Sequence, residues 1–467
     1  MYKIHPYFTN DGSVGLFSPE ADDIYHSTYG ALSEAYEKFI LPAELEKYFE
    51  NNSEIKVLDI CYGIGYNTKS FLNFLLEKNI LKIKNKNKKF FSKKENIVSI
   101  YTNNNKSKLY NAATYPNNNS SDMIYSNKIY SEAQTKNRHD ITISNEVIYS
   151  DNILYRNSAR NPQNCKIFLK AIDVDEKLFY FSPFFRQGKE NDKKYNKLDF
   201  EYEKINKLLN CEFRQKYKLK PEVNLIIFKN ITEKMPEIFD DIEFWQIIES
   251  KKYKPFFDCK LTAFLRALKN KTLNSMPRCR LNAFLHNIYY KYISIRYKKA
   301  LNSLNLDDFI FEPERADARI SLKNDKNIYN FIFLDAFTPA KCPALWSLEF
   351  FKLLYEHLDE NGMILTYSNS AAVRNAMINA GFFAGKIYNP EINKYTGTIA
   401  VKNKSLIKHE LSEYDLGLIN SKAGIFYRDE NLDLSNEAII AAHKIEVETS
   451  NKISSSRFIK AFSRKSS

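Results

Sequence analysis

Glycine is scarce in this chain, 12 in 467 residues. Cysteine is scarce too. The six (Cys61, Cys165, Cys211, Cys259, Cys279, Cys342) show no Cys-x-x-Cys spacing, and the seven histidines form no His-Glu-x-x-His arrangement. That excludes a recognisable zinc site and a disulfide framework, and scattered thiols suit a reducing cytosol. No apolar run approaches a membrane span, and Met1 to Pro19 lacks the apolar core of a signal peptide. These absences predict a soluble, cytoplasmic protein without a metal. What is present is a chain 44% hydrophobic and 14% aromatic, able to bury a sizeable core. Its length allows roughly two or three domains. The formal charge is +13, which suits a polyanionic partner, nucleic acid first. A Lys- and Asn-rich composition also makes a chain basic by itself, so charge alone does not decide.

The chain is organised around Phe331-Ile332-Phe333-Leu334-Asp335-Ala336-Phe337-Thr338-Pro339, continuing through Lys341, Pro343 and Trp346. A short apolar run closed by turn residues is the pattern of a strand buried on both faces. In an open parallel sheet, ligands collect beyond the carboxyl ends of the strands, where Asp335 falls. Pro339 stops the strand and constrains the loop. Taken alone, the run also describes a buried strand closed by a turn aspartate.

In chain order, residues 10 to 19 predict a small N-terminal hairpin. A helix follows, with Ala31, Leu32, Ala35, Tyr36, Phe39 and Ile40 on one face. Tyr25 and His26 precede it, and Glu34 lies on its pocket side or its solvent side. A lone histidine is more often a hydrogen-bonded structural residue than a catalyst. Ile55 to Ile60 predicts a strand containing Asp59, followed by Gly63-x-Gly65-x-Asn67 and a helix. Strand, Gly-x-Gly turn and helix open a nucleotide-binding α/β unit. Thr68 stands where a third glycine would complete the dinucleotide pattern, and the carboxylate before the loop suits a cofactor bearing an ammonium better than a pyrophosphate.

From about 82 to 164 the texture becomes Lys/Asn-rich and loses periodicity, which predicts a low-complexity insertion. Ile167 to Asp175 predicts a strand ending in alternating acids, with Asp173, or Asp175 as alternate, placed to accept from ribose hydroxyls. Residues 185 to 300 read as helical and charged, and include an aromatic and basic helix from Phe284 to Arg296 that no motif assigns. Asp317 is another strand-end acid, placed to read an adenine amino group. A helix ending at Asn361-Gly362, a strand Met363 to Tyr367, a helix Ser368 to Ala380 and a last strand Gly397 to Val401 complete an alternation that predicts an α/β fold with a doubly wound, mostly parallel sheet. The expected divisions are 1–50 (hairpin and helix), 51–81 (first half of the core), 82–164 (insertion), 165–402 (second half) and 403–467 (C-terminal tail).

Several pieces together are more specific than any one. Asp11-Gly12-Ser13, Tyr25-His26-Ser27 with Gly30-Ala31-Leu32-x-Glu34, the Gly63-x-Gly65-x-Asn67 loop, Leu334-Asp335-Ala336-Phe337-Thr338-Pro339 with Pro343 and Trp346, Thr366-Tyr367-Ser368, Val373-Arg374 and Ala380-Gly381-Phe382 occur in order. The set resembles the methyltransferase domain of the bifunctional tRNA 5-methylaminomethyl-2-thiouridine biosynthesis protein (MnmC) and its stand-alone relatives. Lys422-Ala423-Gly424-Ile425-x-Tyr427-Arg428-Asp429 resembles the C-terminal portion of the stand-alone members.

The resemblance implies a class I, Rossmann-like fold that uses S-adenosyl-L-methionine, and transfer of its methyl group to the 5-aminomethyl group of the wobble uridine of tRNA. No counterpart of the FAD-dependent oxidase domain is expected after residue 402. Asp335 would orient the amine or take its proton. Asp59, Gly63, Gly65 and Asn67 would face the methionine portion, Asp173 the ribose and Asp317 the adenine. Tyr25, His26 and Glu34 would help close the site, and Phe337 would wall it or stack on the uracil. The family loop reads acid-x-Gly-x-Gly-x-Gly, and here Cys61 stands at the first glycine. A positive φ there would strain it by about 1 kcal/mol. An aminopropyltransferase, a small-amine methyltransferase and a catalytically silent RNA-binding relative are the alternatives.

Overall fold

The computed structural model describes residues 2–19, 23–81, 165–196, 214–269, 280–304 and 306–466, with side chains omitted for 280–290 and 465–466. The expected insertion at 82–164 lies outside the described residues.

Seven strands form the main sheet: β4 (Glu54–Ile60), β5 (Lys166–Asp173), β6 (Phe309–Arg315), β7 (Tyr329–Leu334), β8 (Leu358–Thr366), β9 (Phe383–Asn389) and β10 (Lys394–Val401). Their spatial order is β6-β5-β4-β7-β8-β10-β9. The pairs among β4 to β8 are parallel, and β10 runs antiparallel to both β8 and β9. The order reverses between β5 and β7 on either side of β4. A crevice therefore opens beyond the carboxyl ends of these strands, the place where such sheets hold ligands.

The central strands are continuous apolar runs because both faces are covered. Leu58, Ile60, Ile332 and Leu334 face a core shared with Trp346, Phe350, Phe351, Leu354, Val373 and Met377. On the other face, Phe333 meets Phe39 and Phe71 edge-on, with ring centroids 5.7 and 6.4 Å apart. Phe39 and Phe71 belong to a π-turn (Tyr36–Ile40) and to the helix Tyr66–Glu77.

The N-terminal hairpin pairs β1 (His5–Phe8) with β2 (Val14–Ser18), and a short β3 (Asp23–Ile24) joins it. Asp11-Gly12-Ser13 forms its turn. Asp11 accepts from Ser13 and from the backbone and hydroxyl of Ser33, while Ser13 Oγ accepts from Ala31 N–H. One turn thus satisfies orphan donors at the start of the next helix, Ala31–Ala35. All six residues expected on the buried face of that region are buried.

One element ends earlier than its glycine suggested. The helix Leu348–His357 stops four residues before Asn361-Gly362, which lies within β8. Pairing of β8 with β7 jumps from Tyr329↔Leu358 to Phe331↔Met363, so the Asn-Gly pair occupies a register irregularity. Residues 403–466 fold back onto the core rather than trailing from it. Leu348 N–H donates to Tyr427 O, and buried Asp429 accepts from Arg319 at 2.7 Å.

Candidate active site

A cavity of about 520 Å³ opens beyond the carboxyl ends of β4 to β7, a size suited to a nucleoside-sized ligand. Its walls come from four loops, each closing a strand or preceding a helix.

The first is the glycine loop after β4. Cys61, Gly63 and Gly65 have φ of 63°, 55° and 76°, so three of five consecutive residues are left-handed. Cys61 therefore adopts the conformation in which a side chain is costly. A Cβ on Gly65 would lie 2.4 Å from the Tyr62 ring, so this glycine is demanded by packing as well as by φ. Gly63 lines the cavity; Gly65 does not.

The second wall follows β5. Asp173 accepts from Gly63 N–H at 2.8 Å and from Asp175 N–H at 3.0 Å, which locks the two strand-end loops together. Burial raises its carboxyl to about 6, with those backbone donors opposing. Asp175 instead caps the helix Glu176–Phe181 and accepts from Tyr2, outside the cavity lining. Of the two candidates, Asp173 lines the cavity and Asp175 does not.

After β6, Asp317 lines the cavity and caps the helix Ala318–Asn324. Burial would raise its carboxyl, but the Arg319 guanidinium, bound at 2.7 Å, holds it below the ordinary range.

The fourth loop carries Asp335. Its backbone is pinned on both sides, since Tyr367 O–H donates to Ala336 O at 2.9 Å and Trp346 Nε1–H to Phe337 O at 2.8 Å. Burial pushes the Asp335 carboxyl up to about 7; Glu34 adds to the rise, and a hydrogen bond from Asn67 opposes it. Phe337 faces Tyr25 with ring centroids 5.0 Å apart.

The N-terminal region covers the opening with Tyr25, His26 and Glu34. Glu34 accepts from Ser27 N–H and Lys38 Nζ at 3.0 and 2.7 Å. Burial works against its charge, yet these partners leave its pKa below the ordinary value. Burial lowers His26 to about 4, so the imidazole is neutral near neutrality, and its Nε2 has no partner among the described residues.

Asp59 and Asn67 stand just behind the glycine loop rather than in the lining. Asp59 is fully buried; Oδ2 accepts from Thr68 at 2.6 Å while Oδ1 has no partner among the described residues. Burial raises it to about 7, with Thr68 and Asn67 opposing and Asp335 adding. Asn67 Oδ1 is likewise unpartnered.

Tyr25, His26, Glu34, Gly63, Asp173, Asp317, Asp335 and Phe337 thus share one cavity. Sequence reasoning missed Lys38, Arg319, Tyr367 and Asn436, which also line it. Spacing could have suggested Lys38, four residues after Glu34 on a helix, and Tyr367 lies within a motif. Asn436 comes from the folded-back C-terminal segment and carries no local signal.

The lining acids Asp23, Glu34, Asp173, Asp317 and Asp335 face two cations, Lys38 and Arg319, each tied to one of those acids. Such a cavity suits a ligand that brings its own positive charge. The unpartnered acceptors behind the loop suit an ammonium donor. A cofactor with a sulfonium, an α-ammonium and a nucleoside fits these residues. No group of acids, cysteines or histidines able to hold a metal occurs among the described residues, and none of their helices is long and apolar enough to cross a membrane.

Residues 284–403 match a family described as S-adenosyl-L-methionine-dependent methyltransferase. An uncharacterised protein of Methanocaldococcus jannaschii is 32% identical over 151 residues, 32% of this chain and 40% of that protein. The bifunctional tRNA 5-methylaminomethyl-2-thiouridine biosynthesis proteins MnmC of Burkholderia multivorans and Burkholderia thailandensis are 41% and 43% identical over 61 residues, 12% of this chain and 9% of each. The chain thus spans less than half the length of these curated relatives. The crystal structure of MnmC2 from Aquifex aeolicus aligns with a TM-score of 0.50 at 16% identity, over 96% of this chain and 87% of that one. The resemblance drawn from the motifs holds, the fold is of the methyltransferase type, and S-adenosyl-L-methionine is the cofactor of the matched family.

Proposed function

We propose that this protein transfers the methyl group of S-adenosyl-L-methionine to the 5-aminomethyl group of the tRNA wobble uridine, giving 5-methylaminomethyl(-2-thio)uridine. The observation that carries the proposal is Asp335, an acid raised to about 7 at the mouth of β7 and walled by Tyr25 and Phe337. The relatives named for tRNA 5-methylaminomethyl-2-thiouridine biosynthesis support the substrate. We place the protein in the cytoplasm as part of the same reading.

When bound, the cofactor supplies an electrophilic methyl group on a sulfonium. The chain's task is to hold an amine in line and keep its lone pair free. A protonated aminomethyl group has no free lone pair, and an ordinary aspartate is a poor base toward it. Raising Asp335 to about 7 brings its basicity closer to that of an amine. Asp335 orients the amine and accepts its proton, directly or through water. Asp173 accepts from the ribose hydroxyls, Gly63 lets the backbone approach, and Asp317 faces the adenine. Asp59 and Asn67, buried behind the glycine loop, each keep an oxygen without a partner among the described residues and would hold the methionine ammonium from behind that loop. Tyr25 and Phe337 exclude water around the uracil, and the Glu34–Lys38 pair with His26 closes the near side.

The test is transfer of labelled methyl to tRNA from cells lacking their own enzyme for this step, beside fully modified tRNA. Label on the undermodified tRNA alone supports the reading. Absence of label from both, with cofactor binding intact, overturns it in favour of another amine acceptor.

A further inference from the structure

Between Asp258 and Asp307 the chain contains ten lysines and arginines and no aspartate or glutamate. The whole protein's excess is only +13, so this stretch of about a tenth of the chain concentrates most of it. No residue assigned to the cavity lies within it.

The helix Arg280–Ser303 shows how this charge is displayed. Ile293 and Ala300 are buried, and Tyr297 stacks on Phe264 of the helix Cys259–Lys269 with centroids 5.0 Å apart. At about 100° per residue these three mark the inward face. Lys291, Ile295 and Lys298 fall on the opposite side, with Tyr292 and Lys299 flanking them, and all five are exposed. Tyr292 is 50% exposed and Ile295 49%. None of the three lysines pairs with a carboxylate among the described residues. Lys291 and Lys298 stand two turns apart, roughly 10 Å along the axis, within reach of neighbouring phosphates on one strand.

A solvated helix face ordinarily interleaves both signs of charge. This one has a single sign, carries an exposed tyrosine and isoleucine, and leads directly into β6, the strand that ends beside Asp317.

We infer that the Lys291–Lys299 face is a docking surface for the sugar-phosphate backbone of an RNA, with Tyr292 as a stacking platform. Charge complementarity and an exposed ring together favour RNA over an acidic protein or a lipid headgroup. The inference rests on the proposed tRNA reading and adds to it where the body of the substrate lies.

The test uses the full chain carrying Lys291→Gln, Lys298→Gln and Lys299→Gln together. A control with the same charge change, Lys326→Gln, Lys352→Gln and Lys394→Gln, removes exposed lysines from elsewhere. Filter binding of tRNA from 50 to 300 mM salt gives affinity and salt slope; thermal unfolding and S-adenosyl-L-methionine affinity check the fold. The docking variant should bind tRNA at least ~10-fold more weakly at low salt and lose roughly 2 to 3 from the salt slope. Its KM for tRNA should rise while turnover at saturating tRNA holds. Tyr292→Ala should weaken binding ~5-fold or more with the slope unchanged.

Equal losses in the docking and control variants would overturn the inference. So would a wild-type protein whose Lys291–Lys299 face governs binding to phosphatidylserine vesicles and not to tRNA. These outcomes are separable from failure of the enzymatic reading, in which the wild type itself transfers no methyl to tRNA.

Discussion

The side-chain amide of Asn67 donates to Asp335 Oδ2 at 3.1 Å, across 268 residues of sequence. It joins the first turn of the helix after the glycine loop to the acid at the end of β7. The same amide also opposes the rise in the Asp59 carboxyl. Asn67 is thus a neutral donor held against the acid on which the proposed chemistry rests.

Asn67→Ala removes that donor, so the Asp335 carboxyl should rise further. The rising limb of the methyl-transfer pH profile, expected near 7, should move to higher pH. Rates measured from pH 6 to 9 check this; an unmoved limb would mean that another group governs it.

Asp59 and Asp335 are both raised to about 7 in the folded chain, against an ordinary aspartate near 4. Between those values the folded state binds more protons than the unfolded one. Their contribution to stability is thus complete below about 4 and lost as pH rises through about 7. Asp59→Asn should flatten the fall of the apo Tm from pH 5 to 8. A cationic cofactor favours the ionised acids, so its Kd should tighten over the same interval.

Cys61 sits at φ 63° with its side chain against the core. Cys61→Gly should relieve about 1–2 kcal/mol of left-handed strain and return part of it as unfolded-chain entropy. A net gain of up to about 1 kcal/mol should appear in thermal unfolding. Cys61→Val, which adds a β-branch to the same conformation, should destabilise.

The Arg319 guanidinium spans Asp317 in the cavity and buried Asp429 in the C-terminal segment. Arg319→Met leaves Asp429 without its cation, a loss of about 3–5 kcal/mol. Urea unfolding of this variant should show it, and Arg319→Lys should retain only part of the stability because an ammonium cannot reproduce the forked geometry.

The sequence made the central sheet legible where local pattern is strong. The run ending at Asp335, the glycine turn after Ile60 and the acid at Asp173 all lie where strand-end reasoning put them, and Asp335 and Asp173 share one cavity. Long-range facts were not legible. Nothing near Asp429 or Asn436 signals that the C-terminal segment returns to the cavity, because their partners lie 110 and 92 residues away. Choosing between Asp173 and Asp175 needed the helix start at Glu176, which turns Asp175 into a cap. Asn361-Gly362 misled because an Asn-Gly pair suits a strand irregularity as well as a helix end.

The most direct measurement is single-turnover methyl transfer by wild type and Asp335→Asn on undermodified tRNA, with the product nucleoside identified by mass spectrometry and cofactor Kd measured alongside. Methylation at the 5-aminomethyl nitrogen of the wobble uridine, slowed at least ~100-fold in Asp335→Asn with Kd little changed, is the predicted result. Wild-type rates in Asp335→Asn, or a methyl group on any other atom, would contradict the account.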